Sequence, residues 1–288
     1  VKALLGRLLA SGAPMRLAAL ATPRRGAEER RGLRYGARAR QVLDLTLPPR
    51  CTDTTPLLVF FHGGGWQSGS RRDYAFLARA FAAEGVAVAL PDYRLWPEAR
   101  WPDFVQDGAA ALAWLRAARD VPRGPLFVMG HSAGGFIAAS LALDPRWLAD
   151  AGLAHGRAAV AGAVLVSAPI AWQPTDEPVR SIFAAAPGGR IAAVPDDAAA
   201  LAGAPPLLLL HGTADTVVGA FHSERLAQDV TAAGGSARLH LLAGAGHIAP
   251  MVALAEPARR HGWATHAAWE ATIAFMHTPP RSEPSSSS

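Results

Sequence analysis

From about residue 42 onward the chain alternates short apolar runs with stretches of helical length. The runs Val42–Leu47, Leu57–Phe61, Val86–Leu90, Leu126–Met129, Ala163–Val166, Leu207–Leu210 and Arg238–Leu242 read as strands. Several are apolar at every position, which a strand requires when helices cover both of its faces. Between them, Asp73–Glu84, Phe104–Arg119, Ala133–Leu143 and Phe221–Ala233 have helical length, and a last helix is expected over Ala264–His277. Alternation of this kind predicts an α/β fold, a mostly parallel sheet with helices on both faces.

Two regions break the rhythm. Pro169–Pro205 carries six prolines, two adjacent glycines and only short apolar pieces. It reads as a short lid-like insertion over one sheet edge, at about residues 169–205. Residues 1–40 form an N-terminal extension or short cap, in which Leu4, Leu5, Leu8 and Leu9 at helical spacing predict a short amphipathic helix. The main domain is then 41–278, and the Pro/Ser-rich tail 279–288 is expected to be disordered.

Composition narrows the class. Half of the 288 residues are apolar, enough for one substantial core. A single cysteine, Cys51, excludes an internal disulfide and any multi-cysteine metal cluster. The net charge of +5 is nearly all arginine, Lys2 being the one lysine. Arg24, Arg25, Arg30, Arg31, Arg34, Arg38 and Arg40 cluster ahead of the first expected strand. Tyr35 is the one aromatic residue among them, too few to stack a run of bases, so a solvated segment is expected there and no nucleic-acid partner. No apolar run reaches the ~20 residues of a membrane helix, so no stable membrane insertion is expected. Arg7 and Arg16 interrupt the N-terminal apolar stretch, which leaves a cytoplasmic location as the expectation. The pattern sets no oligomeric state.

The chemistry gathers at strand ends. Gly130-His131-Ser132-Ala133-Gly134 lies between an apolar strand and an alanine-rich helix. A serine on such a tight turn is lifted clear of the sheet, and side chains at the flanking glycines would collide with neighbouring elements. His62-Gly63-Gly64-Gly65-Trp66 follows the strand Leu57–Phe61, and its glycines free backbone amides to face a ligand. The Gly64 and Gly65 amides, with that of Ala133, make a candidate oxyanion hole. His62 is expected to anchor this loop.

Ser132 needs a base. Among ten histidines, His247 follows the strand Arg238–Leu242 and a loop of small residues, at the sheet edge where open parallel sheets build their sites. His211 is expected to pack beside the acid, and His131 beside the serine. Asp215, just past the strand Leu207–Leu210, is the candidate for orienting the base, with Asp176, Asp196, Asp197 and Asp92 as competitors. The order Ser132, Asp215, His247 is the one expected of a nucleophile elbow on such a sheet.

Together, HGGGW at 62–66, PDYRL at 91–95, GHSAGG at 130–135, HGTAD at 211–215 and GAGH at 244–247 resemble the carboxylesterase/lipase branch of the α/β-hydrolases over about residues 40–277. The resemblance is strongest to small bacterial esterases near the hormone-sensitive-lipase and feruloyl-esterase-like groups. It implies the α/β-hydrolase fold and hydrolysis of a small carboxylic ester through an acyl-enzyme, without metal or other cofactor. Two departures stand out: His131 where hormone-sensitive-lipase relatives usually carry Asp, and an N-terminal segment short for their cap. A serine carboxylesterase for short-to-medium acyl chains is therefore expected. An arylformamidase (kynurenine formamidase-like) is the alternative enzyme, because it shares HGGxW and GHSAG. A non-catalytic ligand-binding homologue is the alternative outside catalysis.

Overall fold

A computed structural model describes residues 13–153, 155–194, 198–262 and 266–277 of the chain. The helix expected around Leu4–Leu9, the start of the one expected at 264, and the tail 279–288 lie outside these residues. The first elements are α1 (Ala13–Ala21), β1 (Glu28–Arg34), β2 (Val42–Leu47) and β3 (Leu57–Phe61). They are followed by α2 (Ala75–Ala83), β4 (Ala87–Pro91), α3 (Asp103–Ala117), β5 (Leu126–His131) and α4 (Ala133–Leu143). Next come α5 (Pro145–Asp150), β6 (Val160–Val166), β7 (Ala171–Trp172), α6 (Val179–Ile182), β8 (Ile191–Ala192) and α7 (Ala198–Ala202). The last are β9 (Leu207–Gly212), α8 (Phe221–Ala232), β10 (Ala237–Leu242), α9 (Ala249–Ala253), α10 (Glu256–Arg260) and α11 (Ala267–His277).

Eight strands form one sheet in the order β1-β2-β4-β3-β5-β6-β9-β10. β1 and β2 run antiparallel to their neighbours, and every pair from β4 to β10 is parallel. Side-chain alternation along the strands splits the core in two. Leu57, Val59 and Phe61 face α3, α4 and α8, whereas Leu58 and Phe60 face α1, α2 and α11. Both sets are essentially without exposure. That is why β3 reads as five consecutive apolar residues rather than an alternating strand.

β1 escapes the sequence pattern. Its residues, Glu-Glu-Arg-Arg-Gly-Leu-Arg, are exposed or half-buried along the sheet edge. Edge strands are commonly charged, because charge discourages pairing with other chains. Three arginines of the basic cluster, though open to solvent, are paired with carboxylates: Arg25 with Glu256 and Arg30 with Glu28 at 2.6 Å, Arg31 with Glu29 at 2.5 Å. Within 169–205, β7 and β8 form an antiparallel hairpin outside the main sheet. Among the described residues no helix is long and apolar enough to cross a membrane.

Candidate active site

Ser132 stands between β5 and α4 with φ 52° and ψ −120°, a left-handed conformation that a non-glycine residue holds only under constraint. The constraint is the close approach of elements around the turn. A Cβ on Gly130 would lie 2.1 Å from the carbonyl oxygen of Gly134, and one on Gly134 would lie 2.1 Å from that of Phe61. Glycine at both positions lets β5, α4 and β3 meet. Ser132 N–H donates to Val166 O at 2.9 Å, which ties the turn to the end of β6.

The three side chains singled out in sequence come together. His247 Nε2 lies 2.9 Å from Ser132 Oγ, and His247 Nδ1 lies 2.7 Å from Asp215 Oδ2. A carboxylate only accepts, so His247 donates through Nδ1 and leaves Nε2 to accept the Ser132 hydroxyl proton. Asp215 Oδ1 accepts from Val217 N–H and Val218 N–H, each at 2.9 Å. Burial raises the Asp215 pKa, but the Val218 amide and His247 more than offset it, and the net direction is downward. Of the competing acids, Asp92 is held by Arg71, Asp176 is exposed, and Asp196 and Asp197 lie outside the described residues.

The glycine loop lies against the same turn, since a Cβ on Gly63 would sit 3.4 Å from Ser132 Cβ. Gly64 (φ 129°) and Gly65 (φ 59°) take conformations open to glycine. A Cβ on Gly64 would meet the Ser68 carbonyl oxygen at 2.2 Å. Among the described residues neither glycine N–H donates to a protein acceptor. The Ala133 N–H belongs to the first turn of α4, where helices leave amides without intrahelical partners. These are the donors an oxyanion requires.

His62 is buried beneath the loop and donates through Nδ1 to Gly63 O at 2.8 Å. Its ring stacks on Tyr93 at 4.3 Å, and the Tyr93 hydroxyl donates to His62 O at 2.8 Å. Arg40 clamps the same corner by donating to Tyr93 O and Gly69 O. His211 donates to Val218 O at 2.8 Å and accepts from Ser223 Oγ at 2.7 Å, so it braces the loop that carries Asp215.

Sequence reading missed Tyr74, which lies in a short 3-10 turn ahead of α2. Its hydroxyl accepts from Gly63 N–H at 3.4 Å and donates to His131 Nδ1 at 3.3 Å. His131 Nε2 in turn donates to His247 O at 3.2 Å. One buried hydrogen-bonded line thus joins the glycine loop, the serine turn and the loop of the base. Burial, with His247 adding to it, pushes the His131 pKa down to about 3, so the ring stays neutral and keeps these polarities. No local pattern announces Tyr74, because its partners are distant in sequence.

Comparison with known proteins agrees with this architecture. Residues 58–188 match a family model described as an alpha/beta hydrolase fold. Esterase LipC of Mycobacterium tuberculosis is 32% identical over 244 residues, covering 76% of this chain and 59% of LipC, so the chain spans under two thirds of that relative's length. A Pyrobaculum calidifontis esterase superposes with a TM-score of 0.68 at 22% identity, covering 96% of this chain and 92% of that one. Thermogutta terrifontis esterase 2, in a form phosphoramylated by tabun, gives a TM-score of 0.63 at 26% identity, covering 79% of this chain and 86% of that one. The chain has the α/β-hydrolase fold.

Proposed function

We propose that the protein is a serine carboxylesterase acting on small esters with short-to-medium acyl chains. Ser132 is its nucleophile, His247 its general base and acid, and Asp215 the carboxylate that orients His247. One observation carries the reading: Ser132, His247 and Asp215 form a continuous hydrogen-bonded line beside the Gly63–Gly65 loop. His247 takes the Ser132 proton as Oγ bonds to the ester carbonyl carbon, and then protonates the departing alcohol. Asp215 stabilises the imidazolium formed on the way. The Gly64, Gly65 and Ala133 amides receive the developing oxyanion, where one such donor is typically worth about 10²–10³ in rate. Water, deprotonated by the same histidine, then releases the acid and restores Ser132. Proton transfer within this set closes the cycle without a cofactor.

The relatives support the direction, since LipC is named an esterase and the Thermogutta enzyme is phosphoramylated by tabun. We further propose that the insertion at 169–205 partly covers the site. Small esters, not nucleic acid, are the proposed partners, because Arg25, Arg30 and Arg31 are paired with carboxylates.

The test is covalent. A fluorophosphonate probe is expected to label the wild type and not Ser132→Ala, and p-nitrophenyl butyrate to be turned over faster than N-formylkynurenine. Labelling that persists in Ser132→Ala defeats the assignment of the nucleophile. Preferred turnover of the formamide replaces the ester with an arylformamidase substrate.

A further inference from the structure

Aromatic rings run in an unbroken row away from the serine turn. Phe136, one turn beyond Ser132 in α4, has its ring 5.7 Å from that of Trp66, the residue that ends the glycine loop. Trp66 stacks on Trp172 of the β7–β8 hairpin at 6.3 Å. Trp172 meets the edge of His222 at 5.8 Å, and His222 lies 4.1 Å from Phe221 at the start of α8. The row begins in the core and ends in the open. Trp66 is 3% exposed, Trp172 is half-buried, and Phe221 is 59% exposed.

Beyond the hairpin a cleft of about 470 Å³ runs along α8, walled by Ile170, Val194, Leu201, Phe221, His222 and Leu226. The volume falls within the ~300–1,000 Å³ typical of small-molecule sites. Burial pushes the His222 pKa down to about 4, with His211 adding to the shift, so this ring is neutral at neutral pH, and the charges on the lining belong to Arg190, Arg225 and Asp229. Ala171 and His222 line the cleft, whereas Trp172, adjacent to the first and touching the second, does not. Its ring lies on the Trp66 side of the hairpin.

We propose that Trp172 is the specificity-determining residue that sets acyl-chain length, as a partition between the serine turn with its glycine loop and the α8 cleft. The inference rests on the esterase reading. An acyl chain bonded to Ser132, its oxygen toward Gly64 and Gly65, meets the indole after a few carbons. Longer chains are rejected by that ring rather than for want of apolar space, because the space exists behind it. Removing the ring opens the way from the serine turn into the α8 cleft, and each methylene then taken out of water favours the long ester by up to about fourfold.

The experiment compares kcat/KM for p-nitrophenyl acetate, butyrate, octanoate and dodecanoate in the wild type, Trp172→Ala and Trp172→Ala/Ala192→Trp. Ala192 lines the cleft and is exposed, so a bulky residue there obstructs the cleft without entering the core. In the wild type, kcat/KM is expected to fall beyond butyrate. In Trp172→Ala the octanoate-to-acetate ratio should rise at least about tenfold, mainly through KM, and the double variant should lose most of that rise. A ratio unchanged in Trp172→Ala, or a rise that survives Ala192→Trp, overturns the proposal. A wild type that hydrolyses none of the four esters overturns the esterase reading instead. Fluorophosphonate labelling of each variant shows that its serine site is assembled, so that an altered ratio reports on the pocket and not on misfolding.

Discussion

At Asp215 two demands meet. The carboxylate must stay charged although buried, and it must point one oxygen at His247 Nδ1. The Val217 and Val218 amides hold its other oxygen, which leaves Oδ2 for the imidazole. Asp215→Asn keeps the size but allows the amide to turn its NH₂ toward Nδ1, which favours the tautomer that cannot accept the serine proton. The expected result is a kcat loss of about 10⁴ with little change in KM, read by steady-state kinetics on p-nitrophenyl butyrate. A loss below tenfold would remove Asp215 from its role. Tyr74→Phe tests the line behind the serine. It leaves Gly63 N–H and His131 Nδ1 without their buried partner, at an expected stability cost of about 1–3 kcal/mol in urea unfolding, with a lower kcat. The difference in legibility between these residues is physical. Ser132, Asp215 and His247 each follow a strand, so chain order locates them. Tyr74 and the Arg71–Asp92 pair act across space from positions with no distinguishing local pattern.

Among elements, those buried on both faces were the readable ones. β3, β5 and β9 appear as apolar runs because neither face of the central sheet meets water. β1 has no such run, because its register against β2 is set by main-chain bonds and its side chains lie at the rim. The helix expected from Asp73 begins instead as a 3-10 turn over Arg71–Tyr74, and Ala75–Ala83 forms the α-helix. That turn places the Arg71 guanidinium between Asp44 of β2 and Asp92 just after β4. How closely the central elements approach shows at Gly134. A Cβ there would lie 2.1 Å from Phe61 O and 2.4 Å from His62 O, both backbone atoms that cannot swing aside. Gly134→Ala must therefore push α4 away from β3 and disturb Ser132 with it. The expected cost is about 3 kcal/mol, the upper end for overpacking, or a melting temperature lower by about 6–12 °C. A variant that melts with the wild type and keeps its activity would show that the two elements separate freely.

For the molecule as a whole, the sheet divides two apolar layers, and the buried histidines lie at the sheet's loop-bearing edge, where those layers give way to the site. His131, His222 and His62 are all buried, and burial lowers the pKa of each, to about 3 for His131 and about 4 for His222. Released from the fold, each returns to an ordinary value near 6.5. Between that value and the native one, the unfolded chain binds protons that the folded chain refuses. Stability is thus fully present above about pH 6.5 and declines as pH falls toward 4. The lowered Asp215 pKa acts in the same direction in a more acidic window, because its contribution is lost as pH falls from the ordinary carboxylate value toward the lowered native one. The urea midpoint should therefore drop between pH 7 and pH 4, with His131 alone contributing on the order of a few kcal/mol by the lower pH. His131→Asn retains a donor for the His247 carbonyl but no titrating ring. It is expected to start less stable at pH 7, having lost the Tyr74 contact, and to show a distinctly shallower decline toward pH 4. If its decline parallels that of the wild type, His131 is not the group that couples folding to acid, and the slope must come from the carboxylates.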